Sequence, residues 1–135
     1  MSSKAEIVEL LAREFPHNQY VVEEAGDRSA TVSHPIGAAQ LRPGNTVSGP
    51  VLMAVADVAL YVAILATIGM VPLAVTTSLT INFLKKPSSA HPIKGVCRLM
   101  KVGRALVVGE VALYSGSNSD MVAHAVGTFS VPPKR

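Results

Sequence analysis

The stretch RPGNTVSGPVLMAVADVALYVA, residues 42–63, decides how the rest of the chain is read. It opens on turn residues. Ser48 or Gly49 can then cap a helix, and Pro50 suits the first helical position, where its missing N–H costs nothing. The apolar run reaches Met70, with Gly69 and Pro72 as stop signals. Ala54, Ala56, Ala59, Ala63 and Ala66 keep the helix thin, so a sheet can approach it closely. From Pro43 to Leu84 the single formal charge is Asp57. Such a run is long enough to span a bilayer, but a central carboxylate is costly there, and strand patterns follow directly. A helix apolar on all sides is equally the mark of one wrapped by protein. The expectation is a buried central helix whose one carboxylate has a task, because a buried Asp is rare unless paired.

On either side of this helix the patterns differ. Ser3 to Glu14 reads as a short amphipathic helix: Ser3 and Glu6 fit a capping box, Ile7, Leu10, Leu11 and Glu14 to Phe15 form a stripe, and Pro16 ends it. QYVVEEA and SATVSH follow as strands separated by Gly26-Asp27, and PIGAAQLRPGNTVSG reads as a loop. After the long helix the period becomes two. Val75, Leu79, Ile81 and Phe83 share one face, and Thr76, Ser78, Thr80 and Asn82 the other. That leaves Thr77 as the one polar residue on the apolar face. Three more strands, PIKGVCRLMKVG, ALVVGEVALYS and MVAHAVGTFSV, are joined by Gly103-Arg104 and GSNSD as hairpins. Short turns between consecutive strands imply an antiparallel sheet, and the sheet must curl to bury the helix. Residues 1–135 therefore form one α+β domain, without repeat or linker.

Composition narrows the function. Hydrophobic residues make up 49% and charged residues 16% of the chain, too few charges to solvate a whole monomer surface, so self-association is expected. The net charge of +3 is spread along the sequence, and with three Tyr, three Phe and no Trp there is no basic stripe with aromatic platforms. Nucleic-acid binding is not expected. The lone Cys97 cannot form an intrachain disulfide and suits a small core position. His17, His34 and His91 have no metal-site spacing. The N-terminus mixes acids and bases and lacks the apolar run of a secretory signal, so a cytoplasmic protein away from the membrane is expected.

The order of elements, with the residues around Asp57, resembles the hotdog fold, and more narrowly the PaaI-like acyl-CoA thioesterases. In that family a His-Gly-Gly begins the central helix and an Asp follows nine residues after the His. Here Ser48-Gly49-Pro50 stand at that place, and Asp57 lies nine residues after Ser48. VTTSLTINFLKKP, KVGR, GEVALYS and VAHAVGTFSV are similar to the family's later strands, and the resemblance covers about residues 25–132. It implies a curved antiparallel sheet around one long helix, thioester hydrolysis of an acyl-CoA, and sites between the subunits of a dimer or a dimer of dimers. Asp57 would be nucleophile or general base, and the Gly49 N–H would polarise the carbonyl. Thr76 or Thr77 would orient water, and Ser48 occupies the His position. Arg42 stands where the family has an Asn six residues earlier, with Asn45 nearby.

The chemistry also stands on the residues themselves. A carboxylate can activate water or attack a carbonyl, and a helix N-terminus offers N–H groups where negative charge develops. Because Pro50 has no N–H, Gly49 and Val51 remain as donors. Asp57 lies seven residues beyond Pro50, about 10 Å along the helix. One thioester cannot touch both from one chain, so a second subunit running antiparallel is required if both act. The expected substrate-binding set is Asn45, Pro50, Tyr61, Lys85 and Arg104: Tyr61, one turn after Asp57, borders an acyl slot, and Lys85 and Arg104 are offered to CoA phosphates alongside Lys86 and Lys101. No cofactor is expected, coenzyme A being part of the substrate. The alternative is a non-catalytic hotdog protein that binds acyl-CoA or a related ligand. A Ser48/His124/Asp57 triad lacks the Gly-x-Ser-x-Gly setting. A dehydratase reading of PGNTVSGPVLM lacks its acid–base pair, since Val55 stands where the Glu would be.

Overall fold

The computed structural model describes residues 1–133. The elements are α1 (Lys4–Glu14), β1 (Val21–Gly26), β2 (Ser29–His34), β3 (Leu41–Arg42), β4 (Thr46–Val47), α2 (Gly49–Ile68), β5 (Val75–Phe83), β6 (Ile93–Val102), β7 (Leu106–Ser115) and β8 (Met121–Ser130). The expected capping box starts α1: Ser3 Oγ accepts from the Glu6 N–H at 3.2 Å, and Glu6 Oε1 accepts from the Ser3 N–H at 2.9 Å. The segment read as one loop before the long helix holds a 3₁₀ turn, Ala38–Gln40, and the β3–β4 hairpin. Its turn has Pro43 and Gly44 at the central positions, and the Asn45 N–H donates to the Arg42 carbonyl at 3.2 Å. Gly44 has φ 93°, which a type II turn demands there and which a side chain would resist.

All six long strands form one antiparallel sheet in the order β1-β2-β6-β7-β8-β5. The hairpin reading holds for β1-β2 and for β6-β7-β8. The sequence pattern assigns no turn between β5 and β6, and β5 pairs with β8 at the far edge, not with its successor β6. Residues 84–92, with Pro87 and Pro92, carry the chain past the end of the sheet. This leaves one side of β5 unpaired, and most of its residues are exposed.

The sheet curls around α2, which packs on β1, β2, β6, β7 and β8. Two glycines facing each other across β7 and β8, Gly109 and Gly127, form a notch for one helical side chain. A Cβ added at Gly127 would lie 2.5 Å from Leu60 Cδ1, and one at Gly109 would lie 2.7 Å from Leu60 Cδ2. Small residues thus meet on both sides of the interface, the helix alanines and the sheet glycines. Cys97 is fully buried on β6, and that desolvation, with the charge of Glu110 adding to it, pushes its thiol up to about 12, as suits an inert core residue. The side of α2 that the sheet leaves uncovered carries Met53, Ala54, Asp57 and Val58, at helical spacing. The helix is long and apolar enough to cross a membrane, and its apolar residues are spent instead on the sheet around it.

Candidate active site

Asp57 is not sealed in the core, as the apolar sequence around it suggests. It stands half-buried in the wall of a cavity of about 530 Å³ between α1, α2 and the start of β5. Thr76 Oγ1 donates to Asp57 Oδ1 at 2.5 Å, and Oδ2 has no protein partner among the described residues. Strict alternation puts Thr77, not Thr76, on the helix-facing side of β5. A β-bulge between Thr76 and Ser78 reverses this: Thr76 lies opposite the inward-facing Phe129, and Leu79 opposite Gly127. Thr77 takes up the extra residue and donates instead to the Thr128 carbonyl at 3.2 Å. A bulge that re-aims a side chain is common beside active sites, and here it separates two threonines that the sequence left equivalent.

The rest of the cavity is apolar and aromatic. Phe15, Tyr20, Tyr61 and Phe129 line it, four of the chain's three Phe and three Tyr. Tyr61 holds a central place: its ring meets Phe15 edge-on at 6.2 Å and Phe129 at 6.4 Å, and its hydroxyl donates to the Pro72 carbonyl at 3.0 Å. Burial, with the nearby Glu14 charge second, raises the Tyr61 phenol above its ordinary value. Sequence reasoning placed Tyr61 here but missed the roof, which comes from Leu11 and Phe15 at the end of α1 and from Tyr20 after it. Phe15, which the sequence pattern assigns to the end of the α1 stripe, stands half-exposed at the helix C-cap instead.

The start of α2 faces a second cavity of about 720 Å³, bordered by Gly49, Phe83, Lys85 and Lys86. No lining residue is common to the two cavities. Gly49 lies against the Phe83 ring, so that a Cβ there would sit 3.3 Å from Phe83 Cζ, and its N–H has no partner among the described residues. The Val51 N–H, the other donor considered, is engaged with the Ser48 carbonyl at 3.1 Å. Ser48 is the N-cap, but its side chain makes no capping bond, and its N–H donates to the Gln40 carbonyl at 3.0 Å. Pro50 is exposed in the first turn of α2. Asn45 holds Ser89 Oγ through its side-chain amide at 3.0 Å.

The basic residues do not gather in one chain. Lys85 pairs with Asp120 at 3.1 Å near the Phe83 end of β5. Arg104 lies exposed in the β6–β7 turn, at the sheet end where Leu106, Ser130 and Val75 align. His124 does not approach Asp57. It faces away from α2, its Nε2 2.9 Å from Glu110 Oε1, so the triad has no geometry. Among the described residues there is no cluster able to hold a metal.

The sequence profile of the thioesterase superfamily matches residues 44–122, which contain α2, Asp57 and the bulged strand. The chain belongs to the thioesterase superfamily. A candidate thioesterase from Silicibacter sp. TM1040 is 36% identical over 97% of this chain and 92% of its own, with a TM-score of 0.88. The same hotdog fold is found in the PaaI protein of the E. coli phenylacetic acid degradation operon, 16% identical over 97% of this chain and 96% of its own, TM-score 0.81. It is found again in a Streptococcus mutans UA159 protein solved with acetyl CoA bound, 19% identical over 88% of this chain and 93% of its own, TM-score 0.78. A comparison with curated protein sequences returns no match. The curved sheet around one helix expected from the sequence is therefore the superfamily's fold.

Proposed function

We propose that this protein hydrolyses an acyl-CoA to the free acid and CoA, with Asp57 as the reacting carboxylate. The observation that carries the reading is the Asp57 carboxylate, held through one oxygen by Thr76 and standing in the wall of an aromatic cavity. Thr76 fixes the carboxylate's orientation, and the free Oδ2 faces reaction. As general base, Asp57 takes a proton from water while the water oxygen adds to the thioester carbonyl carbon. The resulting oxyanion then expels the CoA sulfur, which receives that proton from Asp57. Direct attack by Asp57 gives an anhydride that water cleaves, with the same balance. The aromatic cavity takes the acyl group.

The oxyanion donor is the Gly49 N–H of a second copy. Within one chain Gly49 and Asp57 are eight residues apart, about 12 Å along the helix, and they open on separate cavities. The free edge of β5 suggests how they meet. Thr76 marks the Asp57 end of that strand and Phe83 the Gly49 end. Antiparallel pairing of β5 with its own copy sets one chain's Thr76 near the other's Phe83, and so one Asp57 near the other Gly49. Val75, Phe83 and Leu84, exposed along and beside this edge at 57%, 54% and 58%, would be covered by the same contact. Lys85 and Arg104, at opposite ends of the sheet in one chain, are brought to the same side of the pair and are offered to the CoA phosphates. Ser48 and Pro50 flank the donor without reacting, and Asn45 shapes the turn before it.

The test is thiol release from a panel of acyl-CoAs by the native protein and by Asp57→Asn. Loss of turnover with binding retained supports the assignment, and turnover that survives the substitution overturns it. Binding without turnover by the native protein favours the second reading, a hotdog protein that holds acyl-CoA without cleaving it. The departure at Ser48 and Pro50 from the family's His and Gly speaks for that reading.

A further inference from the structure

The cavity beside Asp57 has two unlike sides. β1 and β5 are the opposite edges of the curled sheet, and the cavity lies in the gap between them, over the uncovered face of α2. On the β5 side stand Thr76 and, bonded to it, Asp57. On the β1 side the gap is closed by α1, which packs on β1 and α2 and turns Leu11 and Phe15 to the cavity. Contacts run in order across this space. Thr76 pairs with Phe129 on β8, the Phe129 ring lies 6.4 Å from that of Tyr61, and the Tyr61 ring meets Phe15 edge-on at 6.2 Å. Phe15 is the last ring in the series, and its outer side meets solvent. Its main chain is held on both sides. The Phe15 N–H donates to the Leu11 carbonyl at 2.9 Å, and its carbonyl accepts the Asn18 N–H at 3.0 Å and the Asn18 side-chain amide at 2.8 Å. The same amide donates to the Leu11 carbonyl at 3.2 Å. A large aromatic side chain fixed in this way, between an apolar cavity and water, is a wall.

We propose that Phe15 is the stop that limits the length of the acyl group, and that the substrates are short and medium-length acyl thioesters. The inference rests on the reading of the cavity as the acyl site. The reacting carbonyl lies at Asp57, on the β5 side where a second copy brings Gly49. From there the acyl chain runs past Phe129 and Tyr61 toward α1. Each methylene that enters this path leaves water for an apolar wall, until the chain meets the Phe15 ring. A longer chain has to emerge into solvent or displace Phe15, and displacement breaks the edge-on contact with Tyr61. The path crosses one helix, about 10–12 Å wide with its side chains, and an extended chain gains about 1.3 Å per carbon, so about eight carbons fit. Phe15 also lies outside residues 44–122, which carry Asp57 and Thr76 and match the superfamily profile. Selection by size and the chemistry therefore come from separate segments of the chain.

The experiment measures binding of non-hydrolysable thioethers, S-butyl-CoA to S-dodecyl-CoA, by calorimetry below the concentration at which they form micelles. The proteins are native, Phe15→Ala and Phe15→Trp, and the quantity read is the chain length at which affinity stops rising, whatever the change in absolute affinity. In the native protein affinity should climb by up to about 4-fold per methylene and break near the octyl compound. Phe15→Ala should move the break by about two carbons or more toward longer chains, and Phe15→Trp should move it toward shorter ones. A general loosening of α1 would shift both variants the same way. A native curve that climbs unbroken to the dodecyl compound, a break that stays in place in both variants, or two shifts of the same sign each overturns the proposal. Native affinity that is independent of chain length removes the acyl-site reading itself, and the proposal with it. Thiol release from the matching acyl-CoAs is measured alongside. A break that moves as expected without any release sinks the hydrolytic reading and leaves the role of Phe15 standing.

Discussion

Replacing Thr76 by Val tests the bulge and the candidate site together. Val keeps the size and branching of Thr but removes the O–H that donates to Asp57 Oδ1 at 2.5 Å. A hydrogen bond to a charged group contributes about 1.5–3 kcal/mol. Asp57 is half-buried and Thr76 exposed in the isolated chain, so the lower half of that range applies, about 1.5–2.3 kcal/mol, or about 10- to 50-fold in rate. The loss should fall on kcat rather than KM, because the bond aims the reacting carboxylate and does not hold the acyl chain. Thr76→Ser should restore most of the rate. Thr77→Val is the control: it removes only the bond to the Thr128 carbonyl. It should cost about 0.5–1.5 kcal/mol of stability and leave kcat within about 2-fold. Steady-state thiol release with saturating acyl-CoA, at matched protein concentration, reads all three variants. If Thr77→Val is the slow enzyme and Thr76→Val turns over normally, the register of β5 and the assignment built on it are wrong.

Gly127→Ala should be destabilising, since its Cβ would fall 2.5 Å from Leu60 Cδ1 and 3.1 Å from Leu79 Cδ1. Overpacking of about 1–3 kcal/mol, with an unfolding entropy of about 2.1 cal/mol/K per residue, lowers Tm by about 4–10 °C. Leu60→Val should recover part of this by calorimetry, and an unchanged Tm for Gly127→Ala would refute the notch. Cys97 gives a pH test. The folded thiol is pushed up to about 12 from 9.0, so its contribution to stability is complete below pH 9 and is lost as pH rises from there toward 12. The loss is about 1.4 kcal/mol per pH unit. Urea unfolding between pH 8 and 11 should show a shallower decline for Cys97→Ala than for the native chain, and parallel curves would count against the burial of the thiol.

Much of the fold is legible in local pattern. The capping box at Ser3 and Glu6, the Ser48-to-Gly69 limits of α2 and the period-two runs of β6, β7 and β8 all follow from residue order, because caps and alternation are short-range effects. Strand order is not: nothing in residues 74–86 says that β5 passes its successor to pair with β8. The Leu60 notch is equally hidden, since Gly109 and Gly127 are far apart in sequence and are joined only by the register of β7 on β8.

At the site the division is finer. The sequence by itself determined that a carboxylate stands alone in an apolar helix, that a glycine N–H precedes it by a fixed rise, and that one chain cannot bring the two to one carbonyl. Those conclusions need only the helix repeat and the cost of an unpaired charge. Tertiary structure decided which threonine meets Asp57, because a single extra residue in a strand reverses every side chain on one side of it. It also decided what covers the cavity. Leu11, Phe15 and Tyr20 are distant in sequence from Asp57, and only the docking of α1 onto α2 and β1 sets them across the same space.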